Sequence, residues 1–166
     1  MKNVTLIGAS GFVGTAILNE LLARGHRVTA VVRNPGKIGI KSPSLTVVQA
    51  DVTDTSALVA ACKGRDAVIS AYNPGWTNPN IYEETLRNYP LILEAVRQSG
   101  VRRLLCVGGA GTLEPGKRTG KFRLGKDDLI VDENGNSHIS VEDYAVAMVD
   151  ELENPKHHYE RFTIGY

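Results

Sequence analysis

Three glycines within seven residues, Gly8, Gly11 and Gly14 in the segment GASGFVG, constrain this chain more than any other feature. The apolar run 4–7 before them reads as a strand. After them Val13, Ile17, Leu18, Leu21 and Leu22 recur at helical spacing, with Asn19, Glu20 and Arg24 on the opposite face. A strand that turns at once into a helix needs one glycine for the tight turn. It needs a second where the backbone approaches a ligand, and a third where helix and sheet lie close. Unpaired amides and the dipole at such a helix start attract an anion, a pyrophosphate above all. A glycine triplet alone is weak evidence; its place between a first strand and a first helix gives it weight.

The alternation continues along the chain. Gly25 ends the first helix, and residues 28–32 form a second strand closed by Asn34-Pro35-Gly36. Leu45–Gln49 is a third strand, and Asp54 caps a helix over Thr55–Cys62 that Gly64 ends. Ala67–Ser70 is a fourth strand. A helical pattern fills Ile81–Ser99, with a kink or break expected at Pro90. Residues 104–107 are a fifth strand, while 108–126 show neither period. Residues 129–131 and 137–139 flank an Asn-Gly pair and predict a hairpin. Ser140 and Asp143 resemble a capping pair before a helix over Val141–Glu153, and 162–164 could close as a last strand. Strands alternating with helices predict an α/β fold: a Rossmann-type doubly wound parallel sheet in three layers, α/β/α.

The 166 residues suit a single domain, 1–166, with 108–140 as a small substrate-side lobe. A net charge of +1 gives no reason to expect nucleic acid or an anionic membrane as partner. No apolar run is long enough to span a bilayer, and the start lacks a signal-peptide layout, so a cytoplasmic location is expected. Cys62 and Cys106 read as buried free thiols, and His138, His157 and His158 as structural or surface residues, so no metal is expected. The expected partner is a small-molecule substrate, and the expected state a monomer or homodimer.

The second strand ends in Arg33, with Lys37 close behind, where an acidic residue would hold the ribose 2′-hydroxyl of NAD. A guanidinium suits a 2′-phosphate, which favours NADP(H) over NAD(H). Asp51, before Val52 after the third strand, either meets the adenine amino group or caps its loop. Ser70, Ala71 and Tyr72 follow the fourth strand, whose carboxyl end borders the crevice in such sheets. The candidate cofactor residues are therefore Gly8, Ser10, Gly11, Phe12, Val13, Gly14, Arg33, Asp51, Val52, Ser70, Ala71 and Tyr72, together with Gly108 and Gly109 after strand five. Tyr72 and Trp76 either stack on a planar acceptor or pack their loop. Lys117, Arg118, Lys121, Arg123 and Lys126 read first as a solvated loop, and otherwise as a lobe closing on an anion.

GASGFVG, Arg33, Asp51-Val52, VGGAGTLEP, RTGKFRLG and HISVEDYAVAMVDELE together resemble the atypical short-chain dehydrogenase/reductases. Within them the chain is most similar to small NAD(P)H-binding proteins related to biliverdin reductase B, a flavin reductase, and to NmrA-like proteins. The resemblance implies NADP(H)-dependent hydride transfer to a small electron-poor acceptor such as a flavin or quinone. Its alternative is an NmrA-like protein that holds the dinucleotide without turnover. The chain departs from the pattern twice. No tyrosine has a lysine four residues on, and Gly108-Gly109 stand where a catalytic serine would follow strand five, so no catalytic residue is assigned. One α/β unit after strand five is also missing. Either the unit is deleted or residues are absent from the sequence between Glu114 and Arg118.

Overall fold

The computed structural model describes residues 1–109 and 112–166; Ala110 and Gly111, the end of VGGAG, lie outside the described residues. The chain divides into two units, Met1–Val107 and Gly108–Tyr166.

The first unit is built on five strands: β1 (Asn3–Ile7), β2 (Arg27–Val32), β3 (Leu45–Gln49), β4 (Ala67–Ser70) and β5 (Leu104–Cys106). They form one sheet in the order β3-β2-β1-β4-β5, every pair parallel. The connections include α1 (Phe12–Ala23), α2 (Thr55–Cys62) and α3 (Ile81–Ser99). Right-handed crossovers that run outward from β1 to β3 and then back to β4 and β5 put α1 on one face and α2 with α3 on the other. Side-chain alternation in β1 serves both faces. Thr5 Oγ1 donates to the Ala61 carbonyl of α2 at 2.6 Å. Ile7 shares a buried cluster with Leu58, Ala61, Ile92, Ala95 and Val96. Val4 and Leu6 point the opposite way, toward the face where α1 buries Ile17, Leu18 and Leu21. This is the doubly wound parallel sheet expected from the sequence.

Local signals set the helix ends. Gly25 (φ +82°) and Gly100 (φ +80°) end α1 and α3 in the left-handed region. Asp54 accepts from the Ala57 amide at 3.2 Å and starts α2. Three expectations are corrected. Glu20 is buried rather than solvent-facing, paired with Arg24 at 2.7 Å one turn on. Cys106 is exposed, because β5 is an edge strand, whereas Cys62 is buried and its thiol is pushed up to about 11 by desolvation. Pro90 does not break α3, which runs from Ile81 to Ser99. The hydrogen bond that proline forfeits belongs to the carbonyl of the exposed Leu86, where water can serve, while Asn88, Ile92, Ala95 and Val96 stay buried along one face.

In the second unit β6 (Thr112–Glu114) pairs parallel with β8 (His138–Ser140), and β7 (Arg123–Gly125) pairs antiparallel with β9 (Thr163–Gly165). Helix α4 (Val141–Glu153) follows β8, started by Ser140, whose hydroxyl accepts from the Asp143 amide at 3.1 Å. Strands β6 and β7 thus lie where no period was legible, since three residues are too few to display alternation. The hairpin around Asn134-Gly135 does not form. Asp132 Oδ1 accepts from the Asn134 and Asn136 amides at 2.8 and 2.9 Å, backbone bonds between Asp132 and both Asn136 and Gly135 close the same turn, and β8 pairs with β6 instead. No helix lies between β5 and β6 among the described residues, consistent with the missing unit.

The glycine turn yields a stability prediction. A Cβ on Gly14 would lie 1.9 Å from the Gly8 carbonyl oxygen, whereas one on Gly11 meets nothing closer than 3.6 Å. Gly14→Ala is expected to cost about 3 kcal/mol or more, read as a fall in denaturation midpoint, and Gly11→Ala about 1 kcal/mol or less.

Candidate functional site

In a sheet of this order the chain leaves β1 and β4 in opposite directions and opens a crevice at their carboxyl ends. Gly8 begins it, with φ +77° and its amide donating to the Val31 carbonyl at 3.1 Å. A Cβ here would lie 2.7 Å from the Ala71 carbonyl oxygen and 3.0 Å from the Tyr72 amide, so the turn after β1 packs directly on the backbone after β4. Ser10 is half-buried, and Gly11 and Phe12 are exposed at the start of α1. Among the described residues no side chain caps this helix, and its first turn carries no acid. The amides of Phe12, Val13 and Gly14 precede the first intrahelical donor, so among the described residues they have no helix partners.

The remaining candidates of the first unit line up beside this turn. Arg33 is exposed just beyond β2, and its carbonyl accepts from Gln49 Nε2 at 3.3 Å. Asp51 accepts from the Thr53 amide and hydroxyl, both at 2.9 Å. The Thr53 amide holds its carboxyl below the usual 3.8, against an opposing effect of burial, with help from the Thr53 hydroxyl and the guanidiniums of Arg33 and Arg87. Asp51 therefore caps its own loop and also sits in the field of two arginines. The Val52 side chain is buried in the core. Ser70 is fully buried, and the Ala71 amide donates to the Ile7 carbonyl at 2.9 Å. Trp76 stands exposed on the loop after β4. Lys37 lies with Ala9, Thr15, Leu18, Asn19 and residues 38–40 along an open groove of about 290 Å3 beside α1.

Helix α3 adds a polar cluster that was not singled out from the sequence. Asn88 Nδ2 donates to the Tyr72 hydroxyl at 2.7 Å, and Arg87 Nε donates to Asn88 Oδ1 at 3.3 Å. The Tyr89 hydroxyl donates to the Tyr72 carbonyl at 3.3 Å, and the two rings meet edge to face at 5.9 Å. Burial is the main cause that pushes the Tyr89 phenol up. The available signal was an asparagine on the apolar stripe that carries Ile92, Ala95 and Val96.

In the second unit Asp143 is fully buried at the start of α4. Its carboxylate accepts from the Thr119 amide (2.8 Å), the Thr119 hydroxyl (2.5 Å), the Gly120 amide (2.8 Å) and the Tyr166 hydroxyl (2.6 Å). Capping alone does not account for it, because it anchors the middle of the basic run. Gly108 and Gly109 belong to this unit and are exposed; the Gly108 carbonyl accepts from the Tyr144 hydroxyl at 3.3 Å. Among the described residues no three His, Cys, Asp or Glu side chains gather as a metal site, and no helix is long and apolar enough to cross a membrane.

Burial alone would raise the Asp143 carboxyl, but the hydrogen bonds from Thr119, Tyr166 and Gly120 outweigh it and hold the group below 3.8. A depressed folded-state value contributes stability that is present above 3.8 and lost as pH falls through the folded value. Asp143→Asn is expected to lower the melting temperature at pH 7. The gap to wild type is expected to narrow below about pH 4, where wild type also loses the carboxylate. Melting temperature against pH checks it.

Several similarities bear on this geometry. Residues 8–130 match the NAD(P)H-binding family model. The chain is 32% identical to the uncharacterized protein YwnB of Bacillus subtilis, covering 97% of each. That alignment runs over 213 positions against 166 residues here, so the Bacillus protein has residues this chain lacks. Among solved structures, a candidate epimerase from Bacteroides thetaiotaomicron is 47% identical with a TM-score of 0.92, covering 99% of this chain and 97% of that one. A candidate NADH-flavin reductase from Streptococcus pneumoniae is 27% identical with a TM-score of 0.78, covering 99% of each. The chain spans only 35% to 41% of the longer cinnamoyl-CoA reductases it also matches.

Proposed function

Since the chain belongs to the NAD(P)H-binding family, we propose that it holds NADP(H) over the carboxyl ends of β1–β4 and passes hydride to a small electron-poor acceptor of flavin or quinone type. One observation carries the reading. The backbone itself demands glycine at positions 8 and 14, but nothing within the protein demands it at 11. A glycine without an internal reason, at an uncapped helix start, fits a turn over which a pyrophosphate passes closely.

Each residue then has a task. The amides of Phe12, Val13 and Gly14 face the pyrophosphate, with Ser10 and Gly11 lining its path, and Arg33 meets the 2′-phosphate, with Lys37 as a second cation on the groove beside α1. Asp51 and Val52 bound the adenine side. Ser70, Ala71 and Tyr72 run along the dinucleotide backbone. The bound nicotinamide supplies the hydride, and the protein binds and orients. With no Tyr-x-x-x-Lys pair, an acceptor that takes its proton from water fits best, in keeping with the similarity to the candidate NADH-flavin reductase. Residues 1–166 act in this reading as one cytoplasmic domain, monomer or homodimer.

Two measurements test it. In calorimetric titrations Arg33→Asp is expected to weaken NADPH about a hundredfold and leave NADH within a few-fold. An unchanged preference contradicts the role of Arg33. Stopped-flow oxidation of NADPH against a flavin and quinone panel is expected to proceed with at least one acceptor. Tight binding with no oxidation across the panel contradicts the enzyme reading in favour of a dinucleotide sensor.

A further inference from the structure

Hydrogen-bond polarity in the α3 cluster is fixed by residue chemistry. An arginine can only donate, so the contact from Arg87 Nε identifies the neighbouring atom of Asn88 as its carbonyl oxygen. The other end of the amide is then the NH2 group, and the Tyr72 hydroxyl, 2.7 Å away, is the acceptor. A phenol that accepts there has its own proton to give elsewhere. Among the described residues nothing accepts it, although Asn88 is buried and Tyr72 half-buried. The backbone of Tyr72 is the one packed against Gly8, at the crevice. Tyr89 donates to the Tyr72 backbone carbonyl and meets the Tyr72 ring edge to face, so the phenol is held at its ring as well as at its hydroxyl.

We propose that Asn88 is a positioning residue that turns the Tyr72 hydroxyl outward as a hydrogen-bond donor to an oxygen of the ribose–phosphate backbone of the bound dinucleotide. This rests on the function proposed above and adds two residues of α3, Arg87 and Asn88, to it. The task of Asn88 is one that neither an apolar residue nor an acid performs. An apolar residue leaves the phenol free to rotate. An acid accepts the phenol proton and turns it inward, while still pairing with Arg87.

The test uses Tyr72→Phe, Asn88→Asp and the double variant, each titrated with NADPH and melted without ligand. Tyr72→Phe is expected to weaken NADPH about tenfold. Asn88→Asp is expected to weaken it equally while keeping a melting temperature within about 2 °C of wild type. The double variant is expected to lose no more than either single one. NADPH binding unchanged in Tyr72→Phe, or additive losses in the double variant, overturns the proposal. So does unchanged binding with a fall in turnover alone, which would make Tyr72 a proton donor to the acceptor. Wild type that binds no NADPH overturns the functional reading and this inference together, whereas tight wild-type binding with an indifferent Tyr72→Phe overturns this inference alone.

Discussion

Everything at the crevice depends on how closely the backbone packs around the first turn. The Gly8 carbonyl points at the Cα of Gly14 with no room for a methyl group, and Gly8 itself lies against the backbone after β4. These two approaches fix the position of α1 relative to β1 and of both relative to β4. With less than a side chain of tolerance, the amides at the start of α1 stay aimed over the sheet edge. Arg33, Asp51 and Tyr72 reach the same place because β2, β3 and β4 are in parallel register with β1 and end level with it.

Charge is arranged on the same edge with little surplus. Two guanidiniums, Arg33 and Arg87, act on Asp51, and Lys37 stands on the neighbouring groove. A carboxylate in the field of two arginines offsets part of their charge. A site built for a ribose hydroxyl would put the acid at the end of β2. Here the acid comes from β3 and the cation from β2, the arrangement on which the proposal of NADP(H) rests.

The first unit was largely legible in the sequence, because its strands and helices are long enough to show their periods and its ends carry local signals. Leu45–Gln49, Thr55–Cys62 and Ala67–Ser70 fall where the pattern put them. Pro90 misleads because propensity is local, while the buried stripe of α3 extends on both sides of it. The second unit was less legible. Its strands are three residues long, and Asp143, which resembles an ordinary cap, is the anchor of a loop more than twenty residues earlier. Asn88 was hidden for a related reason. A polar residue on an apolar stripe is conspicuous, but its partner Tyr72 lies sixteen residues away across a loop, and only the fold joins them.

The central claim is that a nicotinamide dinucleotide lies over the turn of residues 8–14. Amide chemical-shift mapping tests it most directly, since 18.0 kDa is well within reach of backbone assignment. On titration with NADPH the account predicts the largest shifts at Gly11, Phe12, Val13 and Gly14, with Arg33 and Asp51 next. Saturation without shifts in residues 8–14, or shifts confined to Gly108–Tyr166, would contradict it.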